Sequence, residues 1–466
     1  MRHFSYKTLD ELQQATEGAG AACVRFESDP EIVRALLARK VTVAGHTVGN
    51  SIAIHPMEGC DGTLDGRPDE LTYRRYDRFA RGGAKLLWFE ATAVVPEGRA
   101  NVRQLVINKD TAGDLARLLE HARRAHREEF GGSDDLLEPL QLTHSGRYSV
   151  PARIIAYHNP LIDRKTNTPP DYPLISDDRL EWLEDEYVDA AKLALEAGFR
   201  AVDIKSTHGY LVSELLGART RPGRYGGPLE NRTRFLKNVL SKIRAAVGDR
   251  LTLCVRLGCF DSVPYSKEGN PLEHSLPYPY GFGVDENNPL TENLAELKTL
   301  IGWLKDWGVK LLSVSMGSPY YNPHVTRPFE KPDEGNYEQP EHPVLGVNRH
   351  FRIAAELQRA FPDLPMVGSG YSWLQVYSIN AAARNIADGA ITFFGIGRNA
   401  LAYPEFARDA LEHGKLQQLR VCKTLTFCTF LMRQKDHPLG QFPTGCPPFD
   451  KSVYGAIMKE ARRTVG

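Results

Sequence analysis

The chain has no excess of either charge and no long apolar run. Its 466 residues include 58 basic and 58 acidic side chains, so the formal net charge at pH 7 is zero. A balanced charge creates no global field that would attract nucleic acid or an anionic membrane. No stretch approaches the ~18 apolar residues of a membrane span, and the first residues lack the apolar core of a signal peptide. We therefore expect a cytoplasmic protein that binds neither nucleic acid nor membrane.

Several other signals are also missing. The seven cysteines lack the spacing of a secreted disulfide framework, and no group of residues has metal-ligand spacing, so we predict no metal site. A Gly-x-Gly-x-x-Gly motif after the first strand is absent, and the chain ends before a second nucleotide domain, so we expect no stably bound NAD(P) on a Rossmann module.

What the chain does contain is an alternation of apolar strands and amphipathic helices. This alternation predicts a parallel α/β architecture. The predicted strands cover residues 51–55, 85–90, 139–143, 201–205, 251–257, 311–315, 366–368 and 389–394. Eight strand–helix units match a (β/α)8 TIM barrel, in which the chemistry lies at the C-terminal ends of the strands. The periodicity alone also allows a doubly wound sheet.

The predicted barrel occupies residues 1–410 with a short lead-in, and residues 411–466 form a C-terminal extension. One barrel helix is predicted to begin after Ser176 and to end at Gly198. Two long connections, residues 157–174 and 259–289, are expected to be lids, substrate walls or insertions. The aromatic stretch 427–449 is expected to cap the barrel, with contact to a partner subunit in a homo-oligomer as the alternative.

Charged residues lie in the predicted strand at residues 201–205. Alternation places Asp203 and Lys205 on one face, with Val202 and Ile204 on the other. Buried charges cost several kcal/mol unless they are paired or face a solvated pocket. The pattern therefore favours a functional site at the end of this strand, with a structural ion pair as the alternative.

This segment contains Lys-Ser-Thr-His-Gly-Tyr-Leu at 205–211, Arg-Tyr-Gly-Gly-Pro at 224–228 and Glu-Asn-Arg-Thr-Arg-Phe at 230–235. These motifs resemble the signature of the old yellow enzyme family of FMN-dependent oxidoreductases. Lys205 departs from the pattern, because relatives usually carry histidine there. The resemblance implies an FMN-binding TIM barrel that passes hydride from NADH or NADPH to an activated alkene or a related electrophilic small molecule.

Further motifs carry the resemblance along residues 48–410 and imply contacts with the flavin. Pro56, Met57 and Glu58 follow the first strand, although many relatives have Thr or Cys where Glu58 stands. Ala91 leaves room beside the ring. At later strands the resemblance implies pyrimidine contacts and a phosphate cup, formed by Gln141, Arg256, Ser369, Gly370, Gly397 and Arg398. We expect His144 to be a supporting residue.

The resemblance also implies roles for three catalytic residues. Tyr210, with an ordinary phenol pKa near ~10, remains protonated at neutral pH and suits proton delivery to the substrate carbon. His208 and Lys205 are expected to bind the electron-withdrawing oxygen of the substrate. A lysine ammonium there favours a carboxylate or a strongly polarised carbonyl, or else Lys205 acts as a general base in the oxidising direction.

The layout is similar to the barrel part of the larger trimethylamine dehydrogenase and 2,4-dienoyl-CoA reductase branch. Members of that branch carry an iron–sulfur cluster on four cysteines. Here Cys422, Cys428 and Cys446 are the only cysteines of the tail, so we expect packed thiols and no cluster. Two alternatives stay open, namely a flavin dehydrogenase that oxidises an amine, alcohol or ring carbon, and a flavin-free barrel lyase or binding protein.

Overall fold

A ring of parallel strands forms the centre of the computed structural model, which describes residues 4–332, 336–434 and 436–465. The strands are β1 (Ile52–Ile54), β2 in two pieces (Leu86–Leu87 and Phe89–Ala93), β3 (Pro139–Thr143), β4 (Ala201–Ser206), β5 (Thr252–Gly258), β6 (Val309–Ser315), β7 (Met366–Gly368) and β8 (Phe393–Ile396).

The ring closes through β2. Its first piece pairs with β1, its second piece pairs with β3, and Trp88 lies between the two pieces. β1 also pairs with β8, and every other strand pairs with its neighbours along the chain. A closed ring has no edge strands, whereas a doubly wound sheet has two. The structure therefore confirms the predicted barrel and excludes the doubly wound alternative.

Helices surround the barrel and occupy its connections. The α-helices are Leu9–Gly18, Pro30–Leu37, Glu70–Ala80, Ala112–Phe130, Pro160–Thr166, Asp177–Glu196, Leu211–Leu216, Leu229–Arg232, Arg234–Val247, Ala295–Asp306, Pro323–Thr326, Pro343–Ala360, Ser378–Ala387, Arg398–Ala402, Phe406–His413, Phe427–Arg433 and Ala456–Val465. As predicted, Ser176 caps a helix by accepting a hydrogen bond from the Arg179 amide at 3.1 Å. In the described residues, no helix is long and apolar enough to span a bilayer.

Two hydrophobic cores follow from strand alternation. Val202 and Ile204 lie in the larger core, together with the helix residues packed against the barrel. Trp88, Ala201 and Cys254 belong to a smaller core inside the barrel, toward the N-terminal ends of the strands. The faces predicted for β4 are confirmed, because Asp203 and Lys205 point inward.

Some boundaries differ from the prediction. β8 begins at Phe393 and not at Gly389, because Gly389 adopts a left-handed conformation (φ 63°) and its amide bonds to Ile386 as the preceding helix ends. The two long connections pack against each other, with Asn159 donating to the Tyr278 hydroxyl at 3.0 Å. They contain the helix Pro160–Thr166 and part of a hairpin of Val284–Asp285 and Asn288–Glu292.

The C-terminal segment contacts the loop after β1 and the helix Glu70–Ala80. The Thr444 amide donates to the Gly59 carbonyl at 2.7 Å. The Asp450 carboxylate, which is buried, accepts hydrogen bonds from Arg74 and Arg78 at 2.7 and 2.6 Å. These contacts place the segment beside the C-terminal mouth of the barrel.

Candidate functional site

One cavity, partly open to solvent, lies at the C-terminal ends of the barrel strands. Every residue that the sequence analysis assigned to the site contributes to its wall: Pro56, Met57, Glu58, Ala91, Gln141, Lys205, His208, Tyr210, Arg256, Ser369, Gly370, Gly397 and Arg398. Neither of the two long connections contributes a residue to this wall, so they are not walls of this cavity.

The carboxylate of Glu58 joins Lys205 to Tyr210. Its Oε1 accepts hydrogen bonds from Lys205 Nζ and from the Tyr210 hydroxyl, each at 3.0 Å. Lys205 Nζ also lies 3.6 Å from the centroid of the Tyr210 ring. Burial lowers the pKa of Lys205, and the carboxylate of Glu58 partly offsets that shift. Burial and the neighbouring Glu58 raise the pKa of Tyr210 well above its ordinary value, so the phenol keeps its proton at neutral pH.

A sharp turn after β4 places His208. His208 and Gly209 adopt left-handed conformations with φ of 69° and 74°. Such a φ is uncommon for a residue with a side chain, and it recurs at functional sites. His208 Nε2 lies 3.1 Å from Ser315 Oγ. Burial, together with the nearby cations Arg256 and Lys205, holds the pKa of His208 well below its ordinary value, so the imidazole is neutral.

A buried aspartate organises the next part of the cavity. Asp203 accepts hydrogen bonds from Gln141 Nε2 at 2.6 Å, from Trp88 Nε1 at 3.0 Å and from the Arg256 amide at 2.6 Å. Because the amide nitrogen of Gln141 is committed to a carboxylate, its carbonyl oxygen is free to accept a hydrogen bond in the cavity. Burial lowers the pKa of Arg256 to about 10, which still leaves the guanidinium charged at neutral pH.

The loops after β7 and β8 form a cationic end of the cavity. Ser369 Oγ donates to the Val314 carbonyl at 2.7 Å and lies 3.1 Å from His55 Nε2. Arg398 Nη2 donates to the Pro328 carbonyl at 2.7 Å. Burial and the neighbouring Arg398 lower the pKa of Arg327 to about 9. Two guanidiniums that repel each other, Arg398 buried and Arg327 partly buried, form a natural site for an anion.

Polar atoms that lack a partner support a bound flavin mononucleotide. Arg256 Nε, Arg327 Nε and Arg398 Nη1 are buried in this structure without a hydrogen-bond partner, and all three side chains line the cavity. Such orphaned donors are costly unless a ligand satisfies them. The cationic end suits a phosphate, and the Gln141 amide and Arg256 suit the polar edge of a flavin. The residues present therefore fit FMN.

Several residues of the wall were not predicted from the sequence. Arg327 and Tyr320 follow β6, and the Tyr320 hydroxyl lies 2.9 Å from that of Tyr210. Thr429 and Met432 come from the C-terminal segment, and Thr429 accepts from Arg327 at 2.8 Å. The signal available for Arg327 and Tyr320 was their position in the loop after a barrel strand; the C-terminal residues gave none.

Two other groups lie beside the cavity. His144 is buried outside its wall, where its Nδ1 accepts from the Gly146 amide at 3.1 Å, and burial lowers its pKa to about 3. Its supporting role stays a prediction. Cys422, Cys428 and Cys446 line one small neighbouring cavity, and Cys428 also lines the main cavity. Within the described residues, no cluster of His, Cys, Asp or Glu has the geometry of a metal site.

Part of the sequence matches a known family. Residues 40–275 match the NADH:flavin oxidoreductase / NADH oxidase family. An NADPH dehydrogenase of Geobacillus sp. is 34% identical over 242 residues, which are 51% of this chain and 66% of that protein. An NADH oxidase of Thermoanaerobacter brockii is 26% identical over 382 residues, which are 80% of this chain and 50% of that protein. The chain thus spans between half and two thirds of these relatives.

Solved structures share the fold. A 2-naphthoyl-CoA reductase in complex with 2-naphthoyl-CoA superimposes with a TM-score of 0.67 and 17% identity, covering 92% of this chain and 58% of that one. The old yellow enzyme from Trypanosoma cruzi superimposes with a TM-score of 0.60 and 19% identity, covering 83% of this chain and 94% of that one. The family model matches half of the sequence, and these structures share its barrel fold. The chain belongs to the NADH:flavin oxidoreductase / NADH oxidase family.

Proposed function

We propose that this protein is an FMN-dependent oxidoreductase that uses NADH or NADPH to reduce an activated alkene or a related electrophilic small molecule. The observation that carries the proposal is the convergence, in one cavity, of a cationic end at Arg327 and Arg398 with a wall of proton-holding groups at Tyr210 and His208. The family match and the names of the relatives support the same activity.

The protein would hold FMN with the residues that line the cavity. Ser369, Gly370, Gly397, Arg398 and Arg327 would hold the phosphate, through backbone amides and guanidinium groups. Gln141 and Arg256 would contact the pyrimidine edge, with Pro56, Met57, Glu58 and Ala91 along the ring. When bound, FMN supplies a group that accepts a hydride from a nicotinamide and donates one to a substrate. Arg256 places a fixed cation in the site, which stabilises negative charge there.

The remaining chemistry belongs to two side chains of the wall. Tyr210 holds a proton on its hydroxyl at neutral pH, because burial and Glu58 raise its pKa. We assign this proton to the substrate carbon next to the one that receives the hydride. His208, neutral and within 3.1 Å of Ser315, would donate a hydrogen bond to the substrate oxygen.

A second candidate is a flavin dehydrogenase that oxidises an amine, alcohol or ring carbon. The Tyr210 hydroxyl donates to a carboxylate, Glu58, and a carboxylate is a group that can take up a proton. This arrangement would suit proton removal from a substrate as well as proton delivery to one.

An anaerobic titration of the FMN-loaded protein tests the proposal. NADH or NADPH, added separately, should bleach the visible absorbance of the flavin, and an activated alkene added afterwards should restore it. If an amine or alcohol bleaches the flavin while both nicotinamides fail, the second candidate is correct. If none of these compounds reacts, both candidates are wrong.

We also propose a role for the C-terminal segment, a cellular compartment and an oligomeric state. We propose that residues 411–466 form an extension that closes the cavity, which Thr444 and Asp450 support through their contacts with the barrel. We expect a cytoplasmic enzyme with a small-molecule substrate. A homo-oligomer stays a prediction, which sedimentation analysis of the purified protein would test.

A further inference from the structure

The ammonium group of Lys205 lies inside the cavity, but it is already paired with a carboxylate of the protein. Lys205 Nζ and Glu58 Oε1 are 3.0 Å apart, and their side chains are only 5% and 15% exposed. Glu58 also accepts the Tyr210 hydroxyl through the same oxygen. A lysine that was expected to attract a carboxylate substrate therefore carries its counter-charge within the protein.

The other cations near this wall are paired with carboxylates or assigned to the flavin. Arg75 lines the cavity but makes buried ion pairs with both Asp61 and Glu90. Arg256 has the buried Asp203 as a charged neighbour and is assigned to the flavin edge. His208 is neutral. Arg327 also acts electrostatically on His208 but is assigned to the phosphate. The wall formed by Glu58, Lys205, Tyr210 and His208 thus presents hydrogen-bond donors, and its one cation, Lys205, is paired with a carboxylate.

From this pairing we infer that Glu58 is a specificity-determining residue: by cancelling the charge of Lys205, it makes the site prefer a neutral electron-withdrawing group over a carboxylate. A carboxylate substrate that made a hydrogen bond to Lys205 would also lie close to the Glu58 carboxylate. Two negative charges at such close range repel strongly in a partly buried site. A carbonyl or amide would not meet this repulsion. The inference rests on the proposed function, because it assumes that substrate binds at this wall.

Two small ligands of similar shape and different charge can test this inference by their binding affinities. Benzamide and benzoate are planar and nearly isosteric, and they differ in net charge. Their dissociation constants can be measured by calorimetry on the FMN-loaded protein, without reductant. We expect the wild type to bind benzamide at least about tenfold more tightly than benzoate. In Glu58→Gln the Lys205 charge is uncompensated, so the ratio should shift toward benzoate by about tenfold or more.

Two further variants make the test specific. Glu97→Gln changes a surface carboxylate that pairs with Arg179, and it should leave the ratio unchanged. The double variant Glu58→Gln with Lys205→Met should lose the benzoate binding gained by Glu58→Gln alone. Tighter benzoate binding by the wild type, or an unchanged ratio in Glu58→Gln, would overturn the inference.

A second route covers the case in which Glu58→Gln does not fold. Lys205→Gln leaves the Glu58 carboxylate without its cation, so it should disfavour benzoate further, and an unchanged or reversed ratio would contradict the inference. The ratio of benzamide to benzoate binding is measured on the oxidised protein and needs no nicotinamide. The proposed function is tested separately, because it is contradicted when neither NADH nor NADPH reduces the FMN-loaded protein.

Discussion

The side-chain amide of Gln141 donates a hydrogen bond to the buried carboxylate of Asp203, with 2.6 Å between Nε2 and Oδ2. The two residues are register partners on adjacent strands β3 and β4. Asp203 thereby fixes which end of the amide faces the cavity, although it does not line the cavity itself. We regard it as a positioning residue for the proposed flavin contacts.

Replacing Asp203 with Asn should weaken FMN binding and destabilise the fold. Asp203 accepts from Gln141, Trp88 and the Arg256 amide, and an asparagine amide offers a single acceptor oxygen and brings a competing donor. An unsatisfied buried donor costs about 1–3 kcal/mol. We expect the Kd for FMN, measured by quenching of flavin fluorescence, to rise about tenfold or more. Asp178→Asn, at a residue whose side chain is 96% exposed, is the control. Unchanged affinity and stability would show that Asp203 positions nothing.

Tyr210→Phe should slow reoxidation by the alkene and leave reduction by the nicotinamide nearly unchanged. The variant removes the hydroxyl that holds the proton but keeps the ring beside Lys205. Loss of a general acid lowers a rate by about 10²-fold or more. Stopped-flow absorbance should show slow reoxidation of the reduced protein by an activated alkene, with reduction by NADH or NADPH nearly unchanged. Reoxidation at the wild-type rate would assign the proton to another group, and Tyr320→Phe would then be the variant to examine.

The buried His144 should make the fold sensitive to acid. Burial lowers the pKa of His144 from its ordinary 6.5 to about 3, so the unfolded chain binds a proton that the folded chain excludes. Stability from this residue is complete above pH ~6.5 and is lost as the pH falls toward 3, by up to about 1.4 kcal/mol per pH unit. His144→Asn, which keeps an acceptor for the Gly146 amide, should flatten the pH dependence of urea unfolding by that amount. His413→Asn, at an exposed histidine, should not. Identical slopes in His144→Asn and the wild type would contradict this expectation.

The sequence was most informative where the backbone is regular. Strand alternation placed Asp203 and Lys205 on the inner face of β4, and barrel geometry brought strand-end residues such as Gln141 and Arg256 to one mouth. These predictions succeed because a closed parallel barrel carries the C-terminal ends of all its strands to the same side.

The remaining features depend on contacts that periodicity does not encode. Lys205 and Glu58 are 147 residues apart in the chain, so their pairing follows from the closure of the ring and not from spacing. Arg327 reaches the cavity from an irregular loop. Thr429 lies in the short helix Phe427–Arg433, whose contact with the cavity no spacing in the sequence indicates. Trp88 separates the two pieces of β2, of which the first pairs with β1 and the second with β3, an arrangement set by the whole barrel.

A comparison of FMN with riboflavin, which lacks the phosphate, shows whether the cavity holds a flavin phosphate. The cavity is proposed to hold FMN with its phosphate on Arg327 and Arg398, so the wild type should bind FMN at least about tenfold more tightly than riboflavin. Arg327→Gln and Arg398→Gln should each lose about tenfold or more of the FMN affinity and leave riboflavin affinity nearly unchanged. Equal binding of the two flavins by the wild type, or equal losses for both in the variants, would contradict the account.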